Sequence, residues 1–332
     1  MRHLTIMDYG SFLGVSGNRL IVRNAGDSIA ELPLSRLRII NIAKAGVSLS
    51  SNLILACAQR GIRIFILDWR GLSVAALTGQ HQHAIAALRQ AQFNFLQTEK
   101  RPAAAASMIF GKVRNQRAIL LYFNKYLGRK QPAAGEALNR AAEAIAGLGY
   151  RLQKNDWSKH ASWQDEIMGI EGAAARNYWQ TLSTTGLLPS TFCGRQGRGA
   201  TELTNQLLNY GYTLLTSHVW SALANAGFEL YAGILHSERA GRPSLVLDMM
   251  EEYRAWVVDR NVIKMGGAIE NASRPTPKLK KMLTVGIQET MAKRYPYRNK
   301  KARLETIMQR QAYRLAATVV DGKPYHPYRF RW

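Results

Sequence analysis

The chain has 332 residues, 47% of them apolar and 20% charged, a composition that supports a sizeable core and is wrong for a disordered segment. Forty-five Lys and Arg stand against 22 Asp and Glu, a formal charge of +23, and such an excess attracts polyanions and steers them to the surface. Cys57 and Cys193 make neither a disulfide framework nor a zinc knuckle, which fits a reducing cytoplasm. No signal core opens the chain, and apolar runs such as 53–58 and 62–67 are too short to cross a bilayer, so secreted and membrane-spanning proteins are not expected.

Residues 1–80 read as strands. Short runs rich in Ile, Leu and Val at 4–8, 12–15, 19–22, 28–32, 38–42 and 62–67 are separated by turn signals at Ser16-Gly17-Asn18 and at 24–27. Ser50 or Ser51 caps a short helix through Arg60, closed by Gly61. After Gly79 the texture changes. Segments 81–98, 103–127, 133–148, 163–187, 202–226, 244–259 and 278–294 show helical spacing with Ala, Leu, Gln and Arg enrichment. Pro102, Gly128, Pro132, Pro189, the 194–199 loop, Pro243, Pro275 and Pro277 read as the breakers between them, and the chain shows no internal repeat. The fold class is therefore α+β: a small N-terminal β domain over 1–80, then a larger all-α domain over 81–332.

The charge is uneven. Residues 1–80 hold nine basic residues against four acidic ones, whereas 274–310 alone holds eleven, Lys278, Lys280 and Lys281 among them, against Glu289 and Glu305. A solvated basic face without a ligand is the alternative; the local ratio favours nucleic acid.

Acids lodged among apolar residues stand out in so basic a chain. Asp248, Glu251 and Glu252 lie at i, i+3 and i+4 of a segment starting after Pro243, on one face of a largely buried helix. Stacked like charges are unfavourable there, and a bound cation reverses the sign. The rival is a solvated stripe continuing to Asp259, with Arg242 and Arg254 as neutralising partners. His236 precedes that helix in a loop between Gly233 and Gly241, and Glu171 is followed by Gly172 and three alanines, which let a ligand approach closely. The Gly194–Gly199 run reads as a mobile basic loop, His81 and His83 have no acid nearby, and Trp157, Trp163, Trp179 and Trp220 read as core aromatics.

Taken in order, several stretches resemble the CRISPR adaptation integrase/endonuclease family, the "Cas-one" proteins. The strand-rich 46–67 region is similar to that family's N-terminal domain, and Ile109-Phe-Gly-Lys112-Val-Arg-Asn115-Gln116 to its early-helix signature. Glu171-Gly-Ala-Ala-Ala-Arg-Asn-Tyr-Trp179 resembles its first catalytic motif. Phe192-Cys-Gly-Arg195 and Asn205-Gln-Leu-Leu-Asn209-Tyr-Gly-Tyr212 resemble the next block. His236 with 244–254 resembles the metal motif, and 325–332 the family's ending. One departure is Glu202-Leu203, where the family usually has Asp-Pro.

The resemblance implies divalent-metal ligands at Glu171, His236 and Glu251, with Asp248 an accessory acid or the acceptor for the second ring nitrogen of His236. It implies Mg²⁺ or Mn²⁺ and a prespacer 3′-OH attacking a strand of the CRISPR repeat; the basic residues expected to touch DNA are Arg242, Arg254, Lys278, Lys280 and Lys281. It also implies a homodimer through the N-terminal domain and a small "Cas-two" partner, in the cytoplasm. The rival readings are a non-enzymatic basic nucleic-acid-binding protein and a different metal-dependent hydrolase.

Overall fold

Alternation of side chains in two central strands decides how the N-terminal region is layered. The computed structural model describes residues 3–24, 27–68, 73–79, 85–197, 199–237 and 240–331, apart from the side chains of Ser28, Ile29 and Ile85. One sheet runs β1 (His3–Ile6), β5 (Ile39–Ile42), β7 (Arg63–Leu67), β8 (Ser73–Leu77), and the first three strands are parallel. The other runs β4 (Asp27–Pro33), β3 (Arg19–Asn24), β2 (Phe12–Ser16), β6 (Ser48–Leu49). Successive strand residues point to opposite faces, so Ile40, Ile42 and Ile64 join Leu13, Leu20, Leu34, Leu37 and Leu53 in a core with the second sheet. Ile39, Phe65 and Leu67 turn the other way into the helical core. Both faces of β5 and β7 are buried, which is why they read as mostly apolar runs, interrupted by the buried Asn41 and Arg63.

Helix α1 (Ser51–Gln59) is capped by the Ser50 side chain, which accepts from the Leu53 amide at 3.2 Å, and ends before Gly61 at φ +64°. The helical region comprises α2 (Ile85–Phe95), α3 (Lys100–Lys130), α4 (Pro132–Lys154), α5 (Trp163–Thr184) and α6 (Leu203–Ala226). It continues with α7 (Ser244–Arg254), a π-helical turn over Ala255–Asp259, α8 (Arg260–Lys264), α9 (Gly266–Glu270) and α10 (Pro277–Ala292). A hairpin of β9 (Arg294–Tyr297) and β10 (Lys300–Arg303) and then α11 (Leu304–Asp321) complete it, before an extended tail to Arg331. The α+β class holds: strands come first and helices follow. None of the described helices is long and apolar enough to cross a membrane.

Several local expectations change. Pro102 does not break a helix; it sits in the first turn of α3, where its missing N–H costs nothing. Helix α3 also runs through Gly128 to Lys130. The segment 244–259 is not one regular helix, because the π turn interrupts it. The hairpin and α11 lie partly in the stretch read only for its charge, so the C-terminal region is not purely helical. His81, His83, Arg198 and Trp332 lie outside the described residues.

Helix α3 is the axis of the helical region, packed against α4, α5 and α7. Its face from Ala104 to Val113 is buried, and a single lysine, Lys112, is set into that face.

Candidate active site

Three elements bring charge to one buried point. Helix α3 supplies Lys112, α5 supplies Glu171 from its middle, and α7 supplies Glu251. The Lys112 ammonium bonds Glu171 and lies 2.7 Å from Glu251 Oε2. On the other side of Glu251, Arg254 Nη2 reaches Oε1 at 3.0 Å. Glu251 is 3% exposed. Its Oε2 accepts no hydrogen bond, so the contact with Lys112 is a charge pair outside hydrogen-bond geometry. Burial works to raise the Glu251 carboxyl, but Arg254 and Lys112 outweigh it and hold the group below the ordinary carboxylate value. Burial likewise opposes the charge on Lys112, and Glu251 and Glu171 more than compensate, raising it above the ordinary lysine value. Two carboxylates therefore face one cation.

Asp248 does a different job from Glu251. Its Oδ2 accepts the amides of Ile234 at 2.6 Å and Leu235 at 3.0 Å, and its Oδ1 accepts the His236 amide at 3.1 Å. The same Oδ1 lies 2.5 Å from Nδ1 of His236. The carboxylate thus ties down the loop before α7 and fixes the imidazole, leaving Nε2 as its free donor atom. Gly233 makes this closure possible: a Cβ there would stand 2.6 Å from the His236 carbonyl and 2.7 Å from Ser244 Cβ. Burial lowers the proton affinity of His236, but the bond to Asp248 and the charges of Asp248 and Glu251 raise it above the ordinary value.

The acids of 248–259 are buried, not a solvated stripe, with Asp248, Glu251, Glu252 and Asp259 all at 3% exposure or less. They also diverge. Glu252 does not share the face of Glu251; it turns to the C-terminal tail, where Tyr325 donates to Oε1 and the Tyr328 amide to Oε2. The π turn carries Asp259 to a third place, where Tyr212 donates at 2.5 Å and Tyr178 at 3.2 Å.

A cleft of about 670 Å³ opens over Lys112, lined by Arg176, Arg195, Arg254, Trp179 and Tyr212. Arg195 was expected on a mobile loop. Instead Asn205 and Asn209 accept from its guanidinium at 3.0 and 2.6 Å, and they also bond the loop backbone at Gly194, Gln196 and Gly197. These partners are neutral, so the charge of Arg195 stays available to an anion. Arg195 and Arg254 lie 5.2 and 4.9 Å from the Tyr212 ring centroid. Glu202, standing where Asp-Pro is usual, caps α6 by accepting the Thr204 and Asn205 amides, so the departure preserves the loop's anchor. Of the other basic residues named from sequence, Lys278 and Lys281 are exposed, Arg242 is half-buried, and Lys280 lies over Tyr210 at 5.3 Å.

The donor set suits a hard divalent cation: a buried and a half-buried carboxylate aimed at one positive group, an orphaned Glu251 oxygen, and an imidazole with its other nitrogen fixed. The three are not drawn into one tight cluster, for among the described residues no three Asp, Glu, His or Cys side chains converge closely enough to hold a metal. Lys112 occupies the meeting point of the carboxylates. That lysine is the residue sequence reasoning missed as a site member; its signal was a lone charge inside the Ala-rich apolar run of α3. Arg195 and Tyr212 were seen only as motif letters.

Comparison with known proteins shows which family the chain resembles. The family profile described as CRISPR associated protein Cas1, the "Cas-one" of the sequence, matches residues 4–273. A curated relative, CRISPR-associated endonuclease Cas1 1 of Francisella tularensis subsp. novicida (strain U112), is 42% identical over 333 residues and spans 100% of both chains. Among solved structures, a casposase bound to integration product superposes with a TM-score of 0.80 at 20% identity, covering 98% of this chain and 93% of that one. A Cas6-RT-Cas1–Cas2 complex does so at 0.77 and 22% identity, covering 98% of this chain and 36% of that longer one.

Proposed function

The chain belongs to the Cas1 family of CRISPR-associated proteins, and from that premise we propose that it is a metal-dependent DNA endonuclease and integrase that inserts prespacer DNA into a CRISPR array. The observation that carries this is the pair Glu171 and Glu251 facing one cation on the floor of an arginine-lined cleft. Glu171, Glu251 and Nε2 of His236 would hold Mg²⁺ or Mn²⁺. That ion, when bound, supplies Lewis acidity at a phosphate oxygen and eases ionisation of the attacking hydroxyl.

The chain's own residues do the rest. Asp248 holds His236 in one tautomer and one orientation. Arg195 and Arg176 neutralise the phosphates of the incoming strand, and Trp179 and Tyr212 wall the cleft on its apolar side. The 3′ oxygen of the donor forms a bond to phosphorus as the repeat's own P–O3′ bond breaks. The attacking hydroxyl gives up a proton, the leaving oxygen takes one, and one phosphodiester replaces another, so no energy-rich cofactor is consumed. Water as the attacking group gives cleavage. Arg242, Lys278, Lys280 and Lys281 extend the basic surface for sequence-tolerant backbone contact.

The relatives support the partners in this reading: one solved neighbour is bound to an integration product and another is a complex with Cas2. The N-terminal sheets then serve as the homodimer surface, and the assembly works in the cytoplasm. A strand-joining assay tests it, with donor DNA and a repeat-containing target, with and without Mn²⁺, for wild type and Glu251→Ala. Joined product that needs both Mn²⁺ and Glu251 is expected. Fragments without joined product point to a plain hydrolase. No joined product and no fragments from wild type, with DNA binding unchanged in Glu171→Ala and Glu251→Ala, points to a non-enzymatic DNA-binding protein.

A further inference from the structure

The side of α3 turned away from Lys112 carries a second concentration of charge. At about 100° per residue, Arg114 and Arg117 project about 160° and 140° around the helix from Lys112. There the C-terminal tail adds Arg329 and Arg331, and the four arginines with Asn115 and Phe330 line a separate pocket of about 110 Å³. Among the described residues, no carboxylate pairs with any of the four. Arg117 Nε is buried without a hydrogen-bond partner. Arg114 and Arg329 lie over the same ring, Phe110, at 5.7 and 5.8 Å.

This crowding of like charge is built, not incidental. The tail reaches the pocket because buried polar groups fasten it on both sides of Arg329. Asn115 Nδ2 donates to the Tyr328 carbonyl at 2.9 Å, the Phe330 amide donates to Asn115 Oδ1 at 3.0 Å, and Glu252 accepts the Tyr328 amide at 2.8 Å. Burial, and then the nearness of Arg329 and Arg117, pulls the Arg114 guanidinium below its ordinary value. An uncompensated cluster held in place by a satisfied network calls for an anion. The volume is well under the roughly 300 Å³ of sites for drug-sized ligands, so the anion is a single group.

We propose that this pocket binds one backbone phosphate of the DNA, at a point separate from the carboxylate site. The proposal rests on the DNA-joining reading above for the identity of its ligand.

The test is fluorescence anisotropy of a labelled duplex titrated with the full chain across a range of salt, for wild type, Arg114→Gln/Arg329→Gln, and Arg140→Gln as an exposed control that lines neither the cleft nor this pocket. The double variant should bind roughly tenfold more weakly, and its plot of log K against log salt should be shallower by about 0.9, the increment for one phosphate. Arg140→Gln should match wild type. A second pair, Arg329→Gln/Arg331→Gln, alters only exposed tail side chains and should reproduce the loss without disturbing the fold. An unchanged slope in both double variants overturns the pocket. So does a loss confined to duplexes carrying 5′-phosphate ends, since the group would then be a terminal phosphate. Wild-type protein that binds no duplex at all overturns the functional reading and this pocket with it.

Discussion

Lys112 Nζ lies 2.7 Å from Oε2 of Glu251 while also bonding Glu171, so one ammonium neutralises carboxylates from two different helices. Removing one member of a buried pair leaves an uncompensated charge, which costs about 3–5 kcal/mol. Lys112→Met is expected to lose stability near the lower end of that range in urea melts, because Arg254 still attends Glu251. Mn²⁺ should then raise the melting temperature of the variant more than that of wild type, since no ammonium competes for the two carboxylates. Equal shifts in both proteins would show that Lys112 and the ion do not share those oxygens.

Asp248 takes four bonds from the loop that carries His236, and none of its contacts resembles those of Glu251. Replacing an acceptor behind an imidazole ligand lowers metal affinity or activity by about 10- to 100-fold. Asp248→Asn should show a loss of that size in strand joining, with His236→Ala losing more. Wild-type rates in Asp248→Asn would remove the carboxylate from its positioning role.

Asp259 makes stability depend on pH. Burial raises its carboxyl from 3.8 to about 6, more than offsetting the tyrosine hydroxyls and arginines that favour its charged form. The folded state therefore binds this proton more tightly than the unfolded state. Stability is full below the unfolded pKa and falls as pH rises through about 6, by about 3 kcal/mol. Asp259→Asn cannot ionise, so it should match wild type near pH 4 and exceed it in denaturant melts above pH 7. A constant difference across that span would mean the carboxyl titrates normally.

Asn115 joins the tail to α7 through three bonds, to the Glu252 carbonyl at 2.7 Å, the Tyr328 carbonyl and the Phe330 amide. Asn115→Ala leaves those buried groups unpaired, at about 1–3 kcal/mol each before relaxation. Limited trypsin digestion should then cut after Arg329 before the helical region opens. Simultaneous cutting everywhere would show that the tail is not a separately released segment.

The strands at 12–24 and 39–42 and the helices α3 to α7 were legible because periodicity reports which face is buried, and burial is what local sequence encodes. Glu171, His236, Asp248 and Glu251 were legible as types, since acids and a histidine stand out in an apolar, basic chain; their assignment to a site came from resemblance. The roles were not legible. Asp248, Glu251, Glu252 and Asp259 read as one helical stripe, yet each meets a different partner, because a π turn rotates the last and the tail claims the third. Composition and pattern alone thus determined that this protein is basic, strand-first and helix-rich, with acids in buried surroundings. The tertiary structure decided that Lys112 stands between Glu171 and Glu251, and that Arg329 meets Arg114. Those pairs are separated by 59, 139 and 215 positions, and no local periodicity spans the loops that bring such distant side chains together.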